Sequence, residues 1–61
     1  MRFIKLNEVI EMTGLPRASI YKAMNAGTFP KTVPVGGRAV AWIDLEVLEW
    51  MARTIEERDG N

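Results

Sequence analysis

The run Thr13-Gly14-Leu15-Pro16 constrains this chain more than any other feature. Glycine supplies the left-handed conformation that ends a helix. Proline suits the first turn of the next helix, because its φ is preset and it has no N–H to leave unpaired. Upstream, Leu6, Val9, Ile10 and Thr13 fall at helical spacing with Glu8 and Glu11 off that face. That helix starts between Lys5 and Asn7. Asn7 is a possible cap, while Lys5 and Glu8 occupy the places of a capping box that lacks its Ser or Thr. Leu15 turns back as an apolar plug. The second helix spans about Arg17 to Ala26 and stops at Gly27.

At the helical angle of about 100° per residue, Ile20, Ala23 and Met24 converge on one side, the core side. Ala18, Lys22 and Asn25 converge on the other, with Tyr21 and Ser19 on the flanks and Arg17 at the exposed start. The exposed face therefore carries cations, an amide, a phenol and a hydroxyl, and no acid. This is the pattern of a helix-turn-helix whose second helix enters a DNA major groove. It is equally the pattern of a plain αα-hairpin with a solvated face.

Beyond Gly27 the pattern changes to two short β-branched runs around Gly36-Gly37, a two-residue hairpin turn signal. Pro34 restricts its run to a sheet edge. Isolated hairpins are marginal in water, so this one is expected to pack on the helices through Phe29, Val33, Val40 and Trp42. Asp44 then caps a third helix of about a dozen residues. Leu45, Leu48, Met51, Ala52 and Ile55 form its expected buried stripe. Val47 and Trp50 lie beside that stripe and either cover the hairpin, the preferred reading, or contact another protein. The polar end, residues 56–61, is expected to fray. The expected fold is mainly α with a small β-hairpin, a winged helix-turn-helix in one domain spanning 1–61 and ordered over about 3–55.

A chain of 61 residues buries only about 60% of its unfolded surface, too little to enclose a deep substrate pocket as well. With no cysteine and no histidine, disulfides, thiolate zinc sites and the commonest general base are missing. Apolar packing must hold the fold, with self-association as a possible aid. No cofactor, metal or small-molecule substrate is expected. No run approaches the roughly 20 apolar residues of a membrane span, and the start lacks a signal peptide's apolar region. The expected location is intracellular, in the cytoplasm. Catalysis is not expected either: Ser19 has no histidine, Asp44, Glu46 and Glu49 suit a helix start, and Gly36-Gly37 precedes a strand where a phosphate loop needs a helix N-terminus.

Net charge is zero, but its distribution is uneven. From Gly14 to Ile43 the charges are Arg17, Lys22, Lys31 and Arg38, with no acid. From Asp44 onward, Asp44, Glu46, Glu49, Glu56, Glu57 and Asp59 outnumber Arg53 and Arg58. A local basic field attracts phosphates within about a Debye length whatever the net charge. Double-stranded DNA is thus the expected partner. Lys22 and Asn25 are candidates for base edges, and Arg17 for bases or phosphates. Ser19, Tyr21, Lys31 and Arg38 are candidates for phosphates, with Gly36 and Gly37 letting backbone approach. One short helix reads few base pairs, so self-association or cooperative binding on repeated sites is also expected.

Taken together, F-I-K-L-N-E-V, T-G-L-P-R-A-S-I-Y-K, A-G-T-F-P-K, G-G-R-A-V-A-W and L-E-V-L-E-W-M resemble AlpA-type phage and prophage regulators. These fall in the MerR-like winged helix-turn-helix group that includes phage excisionases. The resemblance runs from about Phe3 to Arg53. It implies sequence-specific DNA binding that regulates transcription, often of an integrase gene, or assists prophage excision. Arg17, Ala18, Ser19, Tyr21 and Lys22 would then read DNA, with a wing around Arg38. Pro16 and Lys5 stand where relatives commonly carry capping hydroxyls, and Ala18 where a small hydroxyl residue is common. Two other readings of the same fold are a protein-binding adaptor or anti-repressor, and a DNA-packaging domain like that of small terminase subunits.

Overall fold

A computed structural model describes residues 1–60; Asn61, the end of the polar tail, lies outside the described residues. The order is β1 (Phe3–Ile4), α1 (Leu6–Thr13), α2 (Arg17–Ala26), β2 (Val33–Gly36), β3 (Ala39–Ile43) and α3 (Asp44–Asp59). The expected hairpin, β2 with β3, is present. It is part of a three-stranded antiparallel sheet ordered β1-β3-β2, so Trp42 and its neighbours lie on the central strand. At two residues, β1 is too short to show any periodicity in the sequence. It pairs Phe3 with Ile43 and Ile4 with Trp42.

The corner between α1 and α2 is closed by hydrogen bonds as well as by glycine. Gly14 adopts a φ of 73° and donates its N–H to Ile10 O at 2.8 Å. The Thr13 hydroxyl donates to Val9 O at 2.8 Å and accepts the Leu15 N–H at 3.2 Å. Thr13 is therefore the side chain that satisfies the turn. Both helices begin without a side-chain cap, at Lys5 and at Pro16. The Pro16 carbonyl opens α2 by accepting from Ser19 and Ile20 N–H.

The core is Ile4, Val9, Ile20, Phe29, Trp42 and Val47, each almost fully buried. Trp42 donates its indole N–H to Pro30 O at 3.1 Å. Trp50 donates to Thr28 O at 2.7 Å and meets the Phe29 ring edge-on at 4.8 Å. Two large aromatics thus pin the segment between α2 and β2 to the sheet and to α3. Val40, expected in this core, is 45% exposed. It lies two residues from Arg38 of the turn and pairs with Pro34, while Ala41 and Trp42 after it are buried.

The orientation of α3 differs most from expectation. Val47 is wholly buried, and Trp50 and Met51 pack half-buried against the core. Leu45, Leu48 and Ile55 are 53%, 48% and 52% exposed, and Ala52 is exposed with them. Two apolar stripes run along this helix, and the one containing Val47 and the larger Trp50 takes the core. The helix also continues through the polar end to Asp59. Glu and Arg are good helix formers there, and Arg58 pairs with Asp59 at 2.9 Å.

Asp44 is the first residue of α3, and the cap position itself falls to Ile43. The Asp44 carboxylate accepts the Arg2 N–H and the Leu45 N–H, both at 2.8 Å, while Asp44 N–H donates to Arg2 O at 3.0 Å. This reciprocal clamp fastens the N-terminal strand to the start of α3. The Arg2 backbone donor, and then the Leu45 one, holds the Asp44 carboxyl below its ordinary range against the opposing effect of desolvation.

Two outcomes check this arrangement. Val47→Ala should destabilise by about 2 kcal/mol, from two lost methyl groups and the void they leave. Leu48→Ala should cost well under about 1 kcal/mol by chemical denaturation; the reverse order would mean the other stripe faces the core. A carboxyl lowered by folding adds stability above its unfolded value and loses it as pH falls through the folded value. Asp44→Asn should therefore melt below wild type at neutral pH. That gap should close as pH drops through and below the carboxylate range; a pH-independent gap would contradict the clamp.

Candidate functional site

The sequence of α2 places Ile20 inward, wholly buried, with Ala23 and Met24 half-buried beside it. Arg17, Ala18, Ser19, Tyr21, Lys22, Asn25 and Ala26 are left exposed. The expected exposed face is therefore assembled on one helix. Its C-terminus is fixed by Gly27 and by the Thr28 N–H and hydroxyl, both donating to Ala23 O.

Within that face the structure adds an ordering the sequence does not show. The Arg17 guanidinium lies over the Tyr21 ring, 5.6 Å from its centroid. The other contact of that ring is Trp42, at 6.3 Å and tilted by 57°. Since Trp42 is itself held by Pro30 O, the series Pro30–Trp42–Tyr21–Arg17 runs from the core to the surface. Tyr21 is only 38% exposed because of this packing. A flexible arginine on an aromatic face gives up less rotamer freedom when it later binds an anion. The (i, i+4) spacing of Arg17 and Tyr21 on a helix was the available signal.

The same contact sets the relation of α2 to the wing. Tyr21 leans on β3, the strand from which the hairpin extends to its tip. Val33 pairs with Ala41, Pro34 with Val40 and Gly36 with Ala39, so Val35 is bulged out of the ladder. The turn is consequently Gly37-Arg38, one residue later than the expected Gly36-Gly37. Gly36 remains essential to it, with a φ of 140° beside the bulge, as does Gly37 at 53°. The shift puts Arg38 in the turn itself. On the opposite side of β3, Lys5 Nζ donates to Val40 O at 3.0 Å, taking a carbonyl beyond the end of β1. Lys5 thus opens α1 with its backbone carbonyl and braces the wing strand with its side chain.

Lys31 sits apart from this assembly, in the wall of an open groove between residues 27–33 and α3 that Glu46, Glu49, Arg53 and Glu57 also line. Among the described residues, Arg17, Lys22, Lys31 and Arg38 form no ion pair. Their charges are available to an anionic ligand.

A helix-turn-helix closed by Thr13 and Gly14, followed by a β-hairpin wing and a long C-terminal helix, defines a winged helix-turn-helix domain. The family model for the prophage CP4-57 regulatory protein (AlpA) matches residues 2–55, and the chain belongs to that family. It is 44% identical over 57 residues to an uncharacterized protein, ORF88, of Enterobacteria phage P4; the match covers 93% of this chain and 65% of that protein. It is 37% identical over 59 residues to the DNA-binding transcriptional activator AlpA of Escherichia coli (strain K12), covering 87% of this chain and 84% of that one. The chain thus spans just under two thirds of the phage P4 relative's length. Among the described residues no helix is long and apolar enough to cross a membrane.

Proposed function

We propose that this chain binds double-stranded DNA sequence-specifically and regulates transcription in a phage or prophage. The observation that carries the reading is the acid-free face of α2, on which Arg17 is braced through Tyr21 and Trp42 beside the wing that ends in Arg38. The E. coli relative, a DNA-binding transcriptional activator by name, supports it. In this reading α2 enters the major groove, with Lys22 and Asn25 on base edges and Arg17 on a base or the adjoining phosphate. Ser19 and Arg38 contact phosphates; Lys31, whose groove is walled by Glu46, Glu49 and Glu57, is the weakest of the phosphate candidates. The finer role, control of integrase expression or assistance to excision, follows the resemblance to excisionases. Its mark would be a footprint at an integrase promoter or an attachment site.

A duplex recovered by selection from a random pool provides the test. With about four phosphate contacts, affinity should fall roughly a hundredfold between 50 and 200 mM salt. Binding should also need two or more copies on repeated sites. One tight, salt-insensitive one-to-one complex would contradict the reading. Changing Arg17 and Lys22 together to Ala should abolish specific binding with melting almost unchanged. Arg38→Ala should weaken binding to all sequences alike and reduce the salt slope by about 1.

Tyr21 separates two mechanisms. Tyr21→Phe keeps the ring under Arg17 and removes the hydroxyl, and should bind nearly as wild type. Tyr21→Leu should weaken binding several-fold, as expected for a lost cation–π brace. Equal losses would make the hydroxyl the contact and the brace irrelevant.

A further inference from the structure

The face of α3 turned away from the core is built as a helix-pairing seam. Leu45, Leu48, Ala52 and Ile55 are spaced three, four and three residues apart, the a and d positions of a heptad. The three large members are each about half exposed, and none is needed by the core, which uses Val47, Trp50 and Met51. Scattered exposed leucines need no explanation; a continuous stripe along about three turns of one helix does.

Charge along the two edges says what fits. One edge, the e positions, is acidic throughout, Glu49 and Glu56. The other carries Asp44, Met51 and Arg58, and Arg58 is already matched by Asp59 at 2.9 Å. Edge charges select partner and orientation in helix pairs, and like charges across the seam oppose pairing. A second copy set parallel would bring Asp44 against Glu49. Set antiparallel, it would bring Glu49 against Glu56, twice by symmetry. Nucleic acid is excluded by the same acids. We propose that this face docks an amphipathic helix of a different protein, one with apolar a and d positions and lysine or arginine along the edge that meets Glu49 and Glu56.

The pairing is short, under three heptads, which suits a transient contact that leaves α2 and the wing free. It does not depend on the DNA-binding reading, and its test contains no DNA. The probe is a synthetic three-heptad peptide with leucine at a and d and lysine at e and g, followed by fluorescence anisotropy with the full chain. Matched peptides carry glutamate at e and g, or the lysine composition in scrambled order.

Saturable binding of the ordered lysine peptide alone is expected, weakened at least about tenfold by Leu48→Ser with Ile55→Ser. These residues lie outside the core, and an unchanged circular dichroism spectrum verifies folding. Glu49→Lys with Glu56→Lys should reverse the preference in favour of the glutamate peptide. Three results would overturn the proposal. They are equal binding of the scrambled peptide, which means bulk charge; a preference left unchanged by the charge swap; and a dimer in sedimentation that Leu48→Ser disperses, which makes the occupant a second copy.

Discussion

Trp42 is the residue on which the architecture turns. It occupies the central strand of the sheet, is almost wholly buried, and satisfies its only polar atom on Pro30 O. Its ring closes the core formed with Ile4, Val9, Ile20, Phe29 and Val47, and it also supports Tyr21. A single side chain thus holds the sheet to the helices and backs the residue that carries Arg17. In a domain this small, with no cysteine to form a disulfide, such double use follows from the scarcity of core residues.

Around that centre the chain is fastened at its corners by polar contacts that each serve two segments. Thr13 satisfies both sides of the turn between α1 and α2. Asp44 binds Arg2 and Leu45, joining the first strand to the last helix. Lys5 joins the start of α1 to the wing strand. Neither α1 nor α2 has a side-chain cap, since a lysine and a proline stand at the two cap positions. The helix starts are held by tertiary contacts and the preset proline φ in place of local capping.

Much of this was legible in the residues. Glycine, proline and the apolar spacing define α1 and α2 with their ends, because those signals are local and strong. The burial of Ile20 and the exposure of Arg17, Lys22 and Asn25 follow from helical period alone. Three features were not legible, for distinct reasons. β1 has two residues and no pattern. The bulge at Val35, which moves Arg38 into the turn, depends on cross-strand register. The rotation of α3 arises because the helix carries two apolar stripes and period cannot rank them; the buried one is distinguished by Trp50, whose indole N–H reaches Thr28 O. The bracing of Arg17 by Tyr21 lies between these cases, visible as spacing but meaningful only with Trp42 behind the ring.

The molecule is therefore divided by charge and by surface: a cationic helix face and wing, on which the proposed DNA binding rests, and an acidic and apolar α3. The most direct measurement of that division is amide chemical-shift mapping of the labelled chain titrated with its selected duplex. The account predicts shifts over Arg17, Ser19, Lys22 and Asn25 and at Gly37 and Arg38, with Leu45, Leu48, Ala52 and Ile55 unmoved. Shifts concentrated on α3, with α2 and the wing silent, would contradict it.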